Sequence, residues 1–185
     1  MGIQLSVTVR NARADAFETA IGTAAVLKIF TGEAPANCAA SDSGTVLANA
    51  TLPSDWLSAA SSGQKTLSGT WQDASADNSG YAGHYRLYAS DGTTCHAQGP
   101  VSQAWAGSTA YVLGQQVHSG SNVYVCVTAG TSASSGGVSG TGTSIDDGTV
   151  EWDYVDTIGM TMTNTNLAAG QPFSVTTFTI TEGGA

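Results

Sequence analysis

The hydrophobic pattern of this chain changes its period after residue 22, and this change constrains the fold more than any other feature. From Leu5 to Ile21 apolar residues recur at three- and four-residue steps, and Gly22 follows as a helix stop. Beyond that point apolar residues alternate along short runs that are separated by turn-forming residues. The sequence therefore predicts one amphipathic N-terminal helix followed by short β-strands. The apolar positions of this helix are Val9, Ala12, Ala16, Phe17, Ala20 and Ile21.

Three segments after the helix show how short the predicted elements are. VLKIFTG (26–32) and GTVLANATL (44–52) are strand-like, and Pro53 ends the second of them. SDWLSAA (54–60) predicts one helical turn with Ser54 as its cap and with Trp56 and Leu57 turned inward.

Two hairpins are predicted in the second half of this pattern. GYAGHYRLYASDGTTCHAQG (80–99) places two strands around Ser90-Asp91-Gly92, which supplies the positive φ of a tight turn. GMTMTN (159–164) and PFSVTTFTITEG (172–183) form a second hairpin. The apolar residues of its last strand change parity between Val175 and Phe178, which predicts a β-bulge.

Residues 103–157 carry an aromatic pattern and a low-complexity loop of their own, so they are interpreted as a module inserted between two host strands. The host, residues 1–102 plus 158–185, then contains a helix and a series of short strands. The predicted fold class is all-β: an antiparallel β-sandwich or jelly-roll-like domain with one N-terminal α-helix and a small inserted β-module.

Charge excludes two classes of partner. The chain has five basic residues, scattered singly, and a formal net charge of −9. Without a basic patch, neither nucleic acid nor an anionic membrane is an expected partner. The N-terminus lacks the pattern of a secretion signal, and no run approaches the ~18 apolar residues that cross a bilayer. We expect a soluble protein that is made in a cytoplasm.

The three cysteines, Cys38, Cys95 and Cys126, are not clustered. The spacing does not fit a zinc site, and no metal or other cofactor is expected. A Cys38–Cys95 disulfide can form if the loop and the strand that carry them meet. Buried free thiols are the alternative in a protein assembled in a cytoplasm.

Catalytic patterns are missing from the sequence. There is no G-x-S-x-G motif, and the histidines stand alone, although His84 and His96 flank one hairpin and can approach each other across it. The acidic residues from Asp146 to Asp153 are interpreted as a solvated turn. No catalytic residue is nominated, and we expect a protein that is not an enzyme.

Spaced aromatic and small residues follow one another through the inserted segment: Ala104-Trp105, Thr109-Ala110-Tyr111, Gly114, Val117 and Tyr124-Val125-Cys126. This pattern resembles small chitin- and cellulose-binding modules of the CBM5/12-like kind. DGTVEWDYV (147–155) is similar to the closing strand of the versions found in tailed-phage proteins.

This resemblance implies a module of the carbohydrate-binding type, whose ligands stack on flat aromatic faces. Members that bind chitin carry an exposed aromatic pair just after the Y-x-C/A strand, where this sequence has Val127-Thr128-Ala129. The aromatics are therefore either sugar contacts or the core of the module. The carbohydrate-binding candidates are Trp105, Tyr111, Tyr124, Trp152 and Tyr154.

The host segments also resemble a known family. R-N-A-R-A-D-A-F-E-T-A-I-G (10–22), L-K-I-F-T-G (27–32), G-H-Y-R-L-Y (83–88) and N-L-A-A-G-Q-P-F-S-V-T-T-F-T-I-T (166–181) look like a family of small structural proteins of tailed bacteriophages. This resemblance implies a non-enzymatic virion component. We expect it to be assembled in the host cytoplasm and exposed on the particle exterior.

Two functions follow from these resemblances. One is a capsid decoration or cement protein that contacts the major capsid protein or another virion protein through its helix or strand edges, and displays the module outward. Acidity fits the outer face, because packaged DNA would repel it inside. The alternative is a tail-associated adsorption protein that binds bacterial surface glycans. A polysaccharide hydrolase would need two carboxylates across a cleft, and none can be nominated. Exposed sheet edges favour a homo-oligomer.

Overall fold

The computed structural model describes residues 3–183 as one helix and fifteen short strands. The prediction of an all-β, sandwich-like fold with one N-terminal helix is confirmed. The helix is α1 (Val7–Ile21). The strands are β1 (Val26–Thr31), β2 (Val46–Thr51), β3 (Gln64–Thr66), β4 (Gln72–Asp73), β5 (Gly80–Tyr88), β6 (Cys95–Ala104), β7 (Ala110–Tyr111), β8 (Gln116–Ser119), β9 (Asn122–Thr128), β10 (Gly130–Thr131), β11 (Ile145–Asp147), β12 (Val150–Thr157), β13 (Met160–Met162), β14 (Asn166–Leu167) and β15 (Phe173–Thr181).

Strand β6 connects the two layers of the host sandwich. Its first half pairs antiparallel with β5 up to Pro100, in a layer that continues to β1 and β2. Its second half pairs with β13 through Val101 and Ser102, in a layer that continues to β15. The pairs β6–β13 and β6–β8 are parallel, so the sheet is mixed rather than wholly antiparallel. Both layers contribute to one apolar core, which includes Leu27, Ile29, Ala50, Leu87, Val101, Met160, Val175 and Phe178.

The N-terminal helix forms where the sequence predicts it. The Ser6 hydroxyl accepts the Val9 amide as an N-cap, and Gly22 ends the helix with a φ of +85°. Most of its apolar face does not pack on the core, although an amphipathic helix ordinarily docks through that face. Of the predicted apolar positions only Ile21 is buried, and Phe17 is half-buried. Val9, Ala12, Ala16 and Ala20 lie on one exposed face.

Charged and polar contacts explain why α1 docks on its other side. The buried Lys65 ammonium on β3 lies 2.8 Å from Asp15 and 2.7 Å from Glu18. Burial alone would lower the pKa of Lys65, but these two carboxylates raise it above its ordinary value. Asn11 adds a hydrogen bond by accepting the Gly63 amide at 2.7 Å. Ion pairs to β3 therefore orient the helix, and its small apolar residues remain outside.

The hairpin predictions are confirmed and the helical turn is not. Gly92 has a φ of +65° in the β5–β6 turn, where the Asp91 carboxylate accepts two backbone amides. In the C-terminal hairpin the register shifts after Thr161, which is the predicted bulge. Residues 54–60 are not helical, because Leu57 bridges Leu67 in an extended conformation. Trp56 and Leu57 are nevertheless buried, as predicted.

Strands β7–β12 form the inserted segment, and it has a hydrophobic cluster of its own. That cluster includes Tyr111, Tyr124 and Trp152 and is separate from the sandwich core. The two ends of the segment meet in space, because β6 and β13 pair directly on either side of it. The order of strands along the sheet is β11-β12-β9-β8-β6-β13-β15-β3. The segment thus lies at one end of this order, and β3 with the attached α1 lies at the other.

We expect the host to fold without the inserted segment. A chain in which residues 103–157 are replaced by a flexible Gly/Ser linker of about twelve residues should keep a cooperative unfolding transition, because the linker supplies the crossover that the parallel neighbours β6 and β13 need and the sandwich core stays intact. Near-UV circular dichroism and thermal unfolding measure this. A product with native secondary structure but no near-UV signal would contradict the prediction.

Candidate functional site

The five aromatic candidates of the inserted segment do not form an exposed sugar-binding surface. Tyr111, Tyr124 and Trp152 are at most 2% exposed and make up the core of the segment. As carbohydrate contacts these three are corrected to core residues, because a buried ring has no free face on which a sugar can stack. Trp105 and Tyr154 are half-buried against the same cluster and retain accessible surface.

Asp147 holds this aromatic cluster together. Its carboxylate accepts the indole N–H of Trp105 at 2.7 Å and that of Trp152 at 3.1 Å. Its other oxygen accepts the Ala133 amide at 2.9 Å. Asp147 is only 6% exposed, so its interpretation as part of a solvated acidic turn is wrong. Three donors, two of them on buried or half-buried indoles, satisfy a carboxylate that would otherwise be costly to bury.

A cleft of about 450 Å³ separates the inserted segment from the host. The host contributes the start of the loop after β1, the middle of β5 and the end of the β6 segment that pairs with it. The inserted segment contributes β8, β9 and β12. Because these strands are distant in sequence, no local pattern could have indicated the cleft. Its polar lining residues are Glu33, His84, Gln98, Gln116, Thr143, Asp153, Tyr154 and Asp156.

His84 is the most deeply buried polar residue of this cleft, with 1% exposure. Its ring stacks on Phe30 at a centroid distance of 5.0 Å, and Nδ1 lies 2.9 Å from the carbonyl oxygen of Gly32. Burial lowers the pKa of His84, so the ring is neutral near pH 7. A neutral ring beside a carbonyl carries its proton on Nδ1 and leaves a lone pair on Nε2. Nε2 has no hydrogen-bond partner among the described residues.

Two glutamines of the cleft also carry unpaired acceptors. Gln98 donates its amide N–H to the carbonyl of Pro35, which leaves its side-chain oxygen without a partner among residues 3–183. Gln116, 3% exposed, likewise has an unpaired side-chain oxygen. Buried polar atoms are nearly always hydrogen-bonded, so three unpaired acceptors around one cleft mark it as the candidate binding site.

A second, more apolar cavity of about 360 Å³ adjoins this cleft and shares Glu33, Gln116, Val125 and Val155 with it. Tyr81, Val125 and Val155 line it. The combined groove therefore offers an apolar wall beside a set of hydrogen-bond acceptors. Such a groove suits a ligand with an apolar body and a polar head.

Arg86 fixes the loop that forms one rim of the cleft. It is 1% exposed, and it pairs with Asp42 and donates to the carbonyl oxygens of Cys38 at 2.8 Å and of Ala40 at 3.1 Å. Its Nε also donates to the Cys95 sulfur at 3.3 Å. The second face of β5, which alternation alone would leave to solvent, is thus covered by residues 33–43.

The cysteine pair lies in this same region. Cys38 and Cys95 contact each other but are free thiols, and Cys126 is a buried free thiol in the inserted segment. The Cys38–Cys95 disulfide is therefore not formed in the structure. Burial and the contact with Cys95 raise the pKa of Cys38 to about 11, so this thiol is protonated at neutral pH.

The histidines do not form a site together. His84 pairs across the hairpin with Pro100 rather than His96, and His96 is exposed. Within residues 3–183 no group of three or more His, Cys, Asp or Glu side chains is arranged to hold a metal ion. His118 Nδ1 lies 3.1 Å from the Ser102 hydroxyl, but Ser102 is fully buried and out of reach of a substrate.

Comparison with known proteins adds no relative. No family model, no curated protein and no solved structure matches this chain. In the part of the chain that the structure describes, no helix is both long and apolar enough to cross a lipid bilayer.

Proposed function

We propose that this protein is a non-enzymatic structural component of a tailed-phage virion, most simply a capsid decoration protein. It attaches to the major capsid protein or a neighbouring virion protein through α1 and displays the inserted segment outward. The chain is assembled in the host cytoplasm and ends on the particle exterior. The proposal starts from the resemblance of residues 10–22, 27–32, 83–88 and 166–181 to small structural proteins of tailed phages.

One structural observation supports attachment through α1. Its Val9, Ala12, Ala16 and Ala20 face solvent, although apolar residues at this spacing ordinarily cover a core. Val7 at 49% exposure and Ile3 at 86% extend the apolar surface toward the N-terminus. Because α1 and the inserted segment lie at opposite ends of the strand order, a partner on α1 leaves the inserted segment free.

A tail-associated adsorption protein that binds bacterial surface glycans is the second candidate. Trp105 and Tyr154 favour it, because they are the two aromatic candidates that are not buried. Both functions are compatible with a homo-oligomer, in which exposed strand edges pair between copies.

Immunogold electron microscopy of the parent particle with an antibody against this chain separates these candidates. Gold over the head is the expected result and would support decoration. Gold confined to the tail would favour adsorption and would lead to a glycan-array experiment. Intact particles without gold would overturn the proposal of an exposed virion protein.

A substitution on α1 tests the attachment surface. We expect Ala16→Glu to lower the occupancy of particles at least about tenfold, because a charge on the contact face must be desolvated on binding. The control is Ser134→Glu, an equal change of charge at an exposed position of the inserted segment. Both variants should unfold at the wild-type temperature. Equal occupancy of the two variants would exclude this face of α1 from the contact.

A further inference from the structure

We propose that the cleft between the inserted segment and the host binds an organic cation, an alkylammonium or guanidinium group, with its apolar stem along the adjoining cavity. This inference does not depend on where the chain sits in a particle.

The first argument is the chemistry of the buried lining. His84 Nε2 and the side-chain oxygens of Gln98 and Gln116 are all acceptors, and none has a partner among the described residues. An unpaired buried acceptor is costly, so a native protein rarely carries several around one cavity without a use for them. A ligand that completes them must bring hydrogen-bond donors. Ammonium and guanidinium groups have three and five N–H donors respectively, and no acceptor.

The second argument is charge. Glu33, Asp153 and Asp156 line the cleft, while no lysine or arginine does. The described basic side chains that form ion pairs are Arg13, Lys65 and Arg86, and none pairs with these three carboxylates. The negative potential of such a cleft attracts a cation and repels an anion. A neutral ligand with donors would pair with the acceptors but would gain no attraction from the negative potential of the cleft.

The third argument is shape. The cavity beside the acceptors is lined by Tyr81, Val125 and Val155, which suit a chain of methylene groups. Tyr154 adds an aromatic residue to the polar side of the groove, and aromatic rings attract organic cations. An aliphatic amine and a lysine or arginine side chain from a partner protein share this chemistry.

NMR titration of the ¹⁵N-labelled full chain tests the proposal with defined probes. We expect cadaverine to shift the amide signals of Gly32, Val125 and Val155, and higher salt to weaken its binding. A capped tripeptide with a central lysine, compared with its glutamine counterpart, tests whether the cation is a side chain of a partner protein or a free amine. Tighter binding of the lysine peptide than of cadaverine would assign the cleft to a partner side chain, and the reverse order to a free amine. Cellobiose serves as the neutral polyol probe.

Two variants test whether residues that line the cleft bind cadaverine. Gln116→Leu should raise the melting temperature by about 2–4 °C, since it removes an unpaired buried oxygen, and should weaken cadaverine binding about tenfold. Glu33→Gln should weaken it about two- to fivefold, whereas Asp146→Asn, the same charge change away from the cleft, should not. Binding of cellobiose but not cadaverine at these residues would overturn the proposal, as would the absence of shifts with every probe. Equal effects of Glu33→Gln and Asp146→Asn would also overturn it.

Discussion

Asp147→Ala is expected to destabilise the inserted segment by about 4 kcal/mol, although the substitution removes a charged group from a chain that is already acidic. The carboxylate accepts the indole N–H groups of Trp105 and Trp152 and the amide of Ala133. Alanine leaves three donors without an acceptor at a buried position, and each unsatisfied donor costs about 1–3 kcal/mol. Among residues 3–183 Asp147 is the acceptor of both indole N–H groups, so local unfolding is expected when it is removed.

Tryptophan fluorescence and near-UV circular dichroism report the effect separately for the two parts of the chain. Trp105 and Trp152 belong to the inserted segment, whereas Trp56 and Trp71 lie in the host core. We expect an early transition of the segment, followed by an unchanged transition of the host. Amide hydrogen exchange should become fast in β9 and β12 and remain slow in β5.

The neighbouring residue provides a matched control for this prediction. Asp146→Ala removes the same charge from an exposed position, so its effect should stay within about 0.5 kcal/mol. Asp147→Asn keeps one acceptor oxygen and should lose an intermediate amount of stability. If Asp146→Ala and Asp147→Ala both show the same unfolding transitions as the wild type, Asp147 does not hold the aromatic cluster.

Asp147 also illustrates what the sequence can and cannot predict. Its neighbours Asp146, Glu151 and Asp153 give it the appearance of a solvated acidic turn, and the decisive contact is to Trp105, 42 residues away. Composition indicates that a carboxylate is present, but only the tertiary structure shows that two indoles donate to it. A buried carboxylate beside tryptophans leaves no periodic signal in the sequence.

Helix α1 is a second case in which contacts distant in sequence, rather than local patterns, decide how a part of the chain packs. Its end at Ile21 could be predicted from the glycine stop at Gly22, and the predicted start at Leu5 lies within two residues of the observed start at Val7. The face that docks depends on Lys65, which is 50 residues from its partner Asp15. Apolar periodicity therefore predicts the helix, whereas its orientation depends on contacts that are distant in sequence. The β5–β6 hairpin and the bulge in β15 could be predicted because their signals are contained in single segments.

The candidate site could not be predicted for a related reason. His84, Gln98 and Gln116 belong to three strands, and each would be an ordinary polar residue of an exposed strand face. The mixed sheet brings them to one cleft through the parallel pairing of β6 and β8, and parallel pairing has no short-range sequence signal here. An acceptor can be identified as unpaired only when the positions of all the surrounding side chains are known.

Arg86→Met is expected to lower the free energy of unfolding by about 3 kcal/mol and to release residues 33–43 from the sheet. The substitution keeps a long side chain in the buried position but removes the donors to Asp42 and to the carbonyl oxygens of Cys38 and Ala40. Breaking a buried ion pair by removing one partner typically costs about 3–5 kcal/mol. Asp42 retains partial access to solvent, so the lower end of this range applies.

Urea unfolding measures the loss of stability, and thiol labelling locates it. Cys38 belongs to the affected loop and Cys95 contacts it, whereas Cys126 is buried in the inserted segment. In Arg86→Met we expect the first two thiols to react faster with a labelling reagent and Cys126 to react at the wild-type rate. Arg13→Met is the matched control, because Arg13 makes an ion pair with Glu182 while its side chain is 56% exposed. It should cost less than about 1 kcal/mol.

The same variant connects the stability of the loop to the cleft. Glu33 and Ala34 on the rim belong to the loop that Arg86 holds, and the carbonyl of Pro35 accepts the Gln98 amide. Loosening the loop should therefore weaken cadaverine binding in Arg86→Met, although Arg86 does not line the cleft. If the variant unfolds earlier but binds cadaverine with unchanged affinity, the loop stabilises the fold without shaping the site. If neither stability nor thiol reactivity changes, Arg86 does not anchor the loop at all.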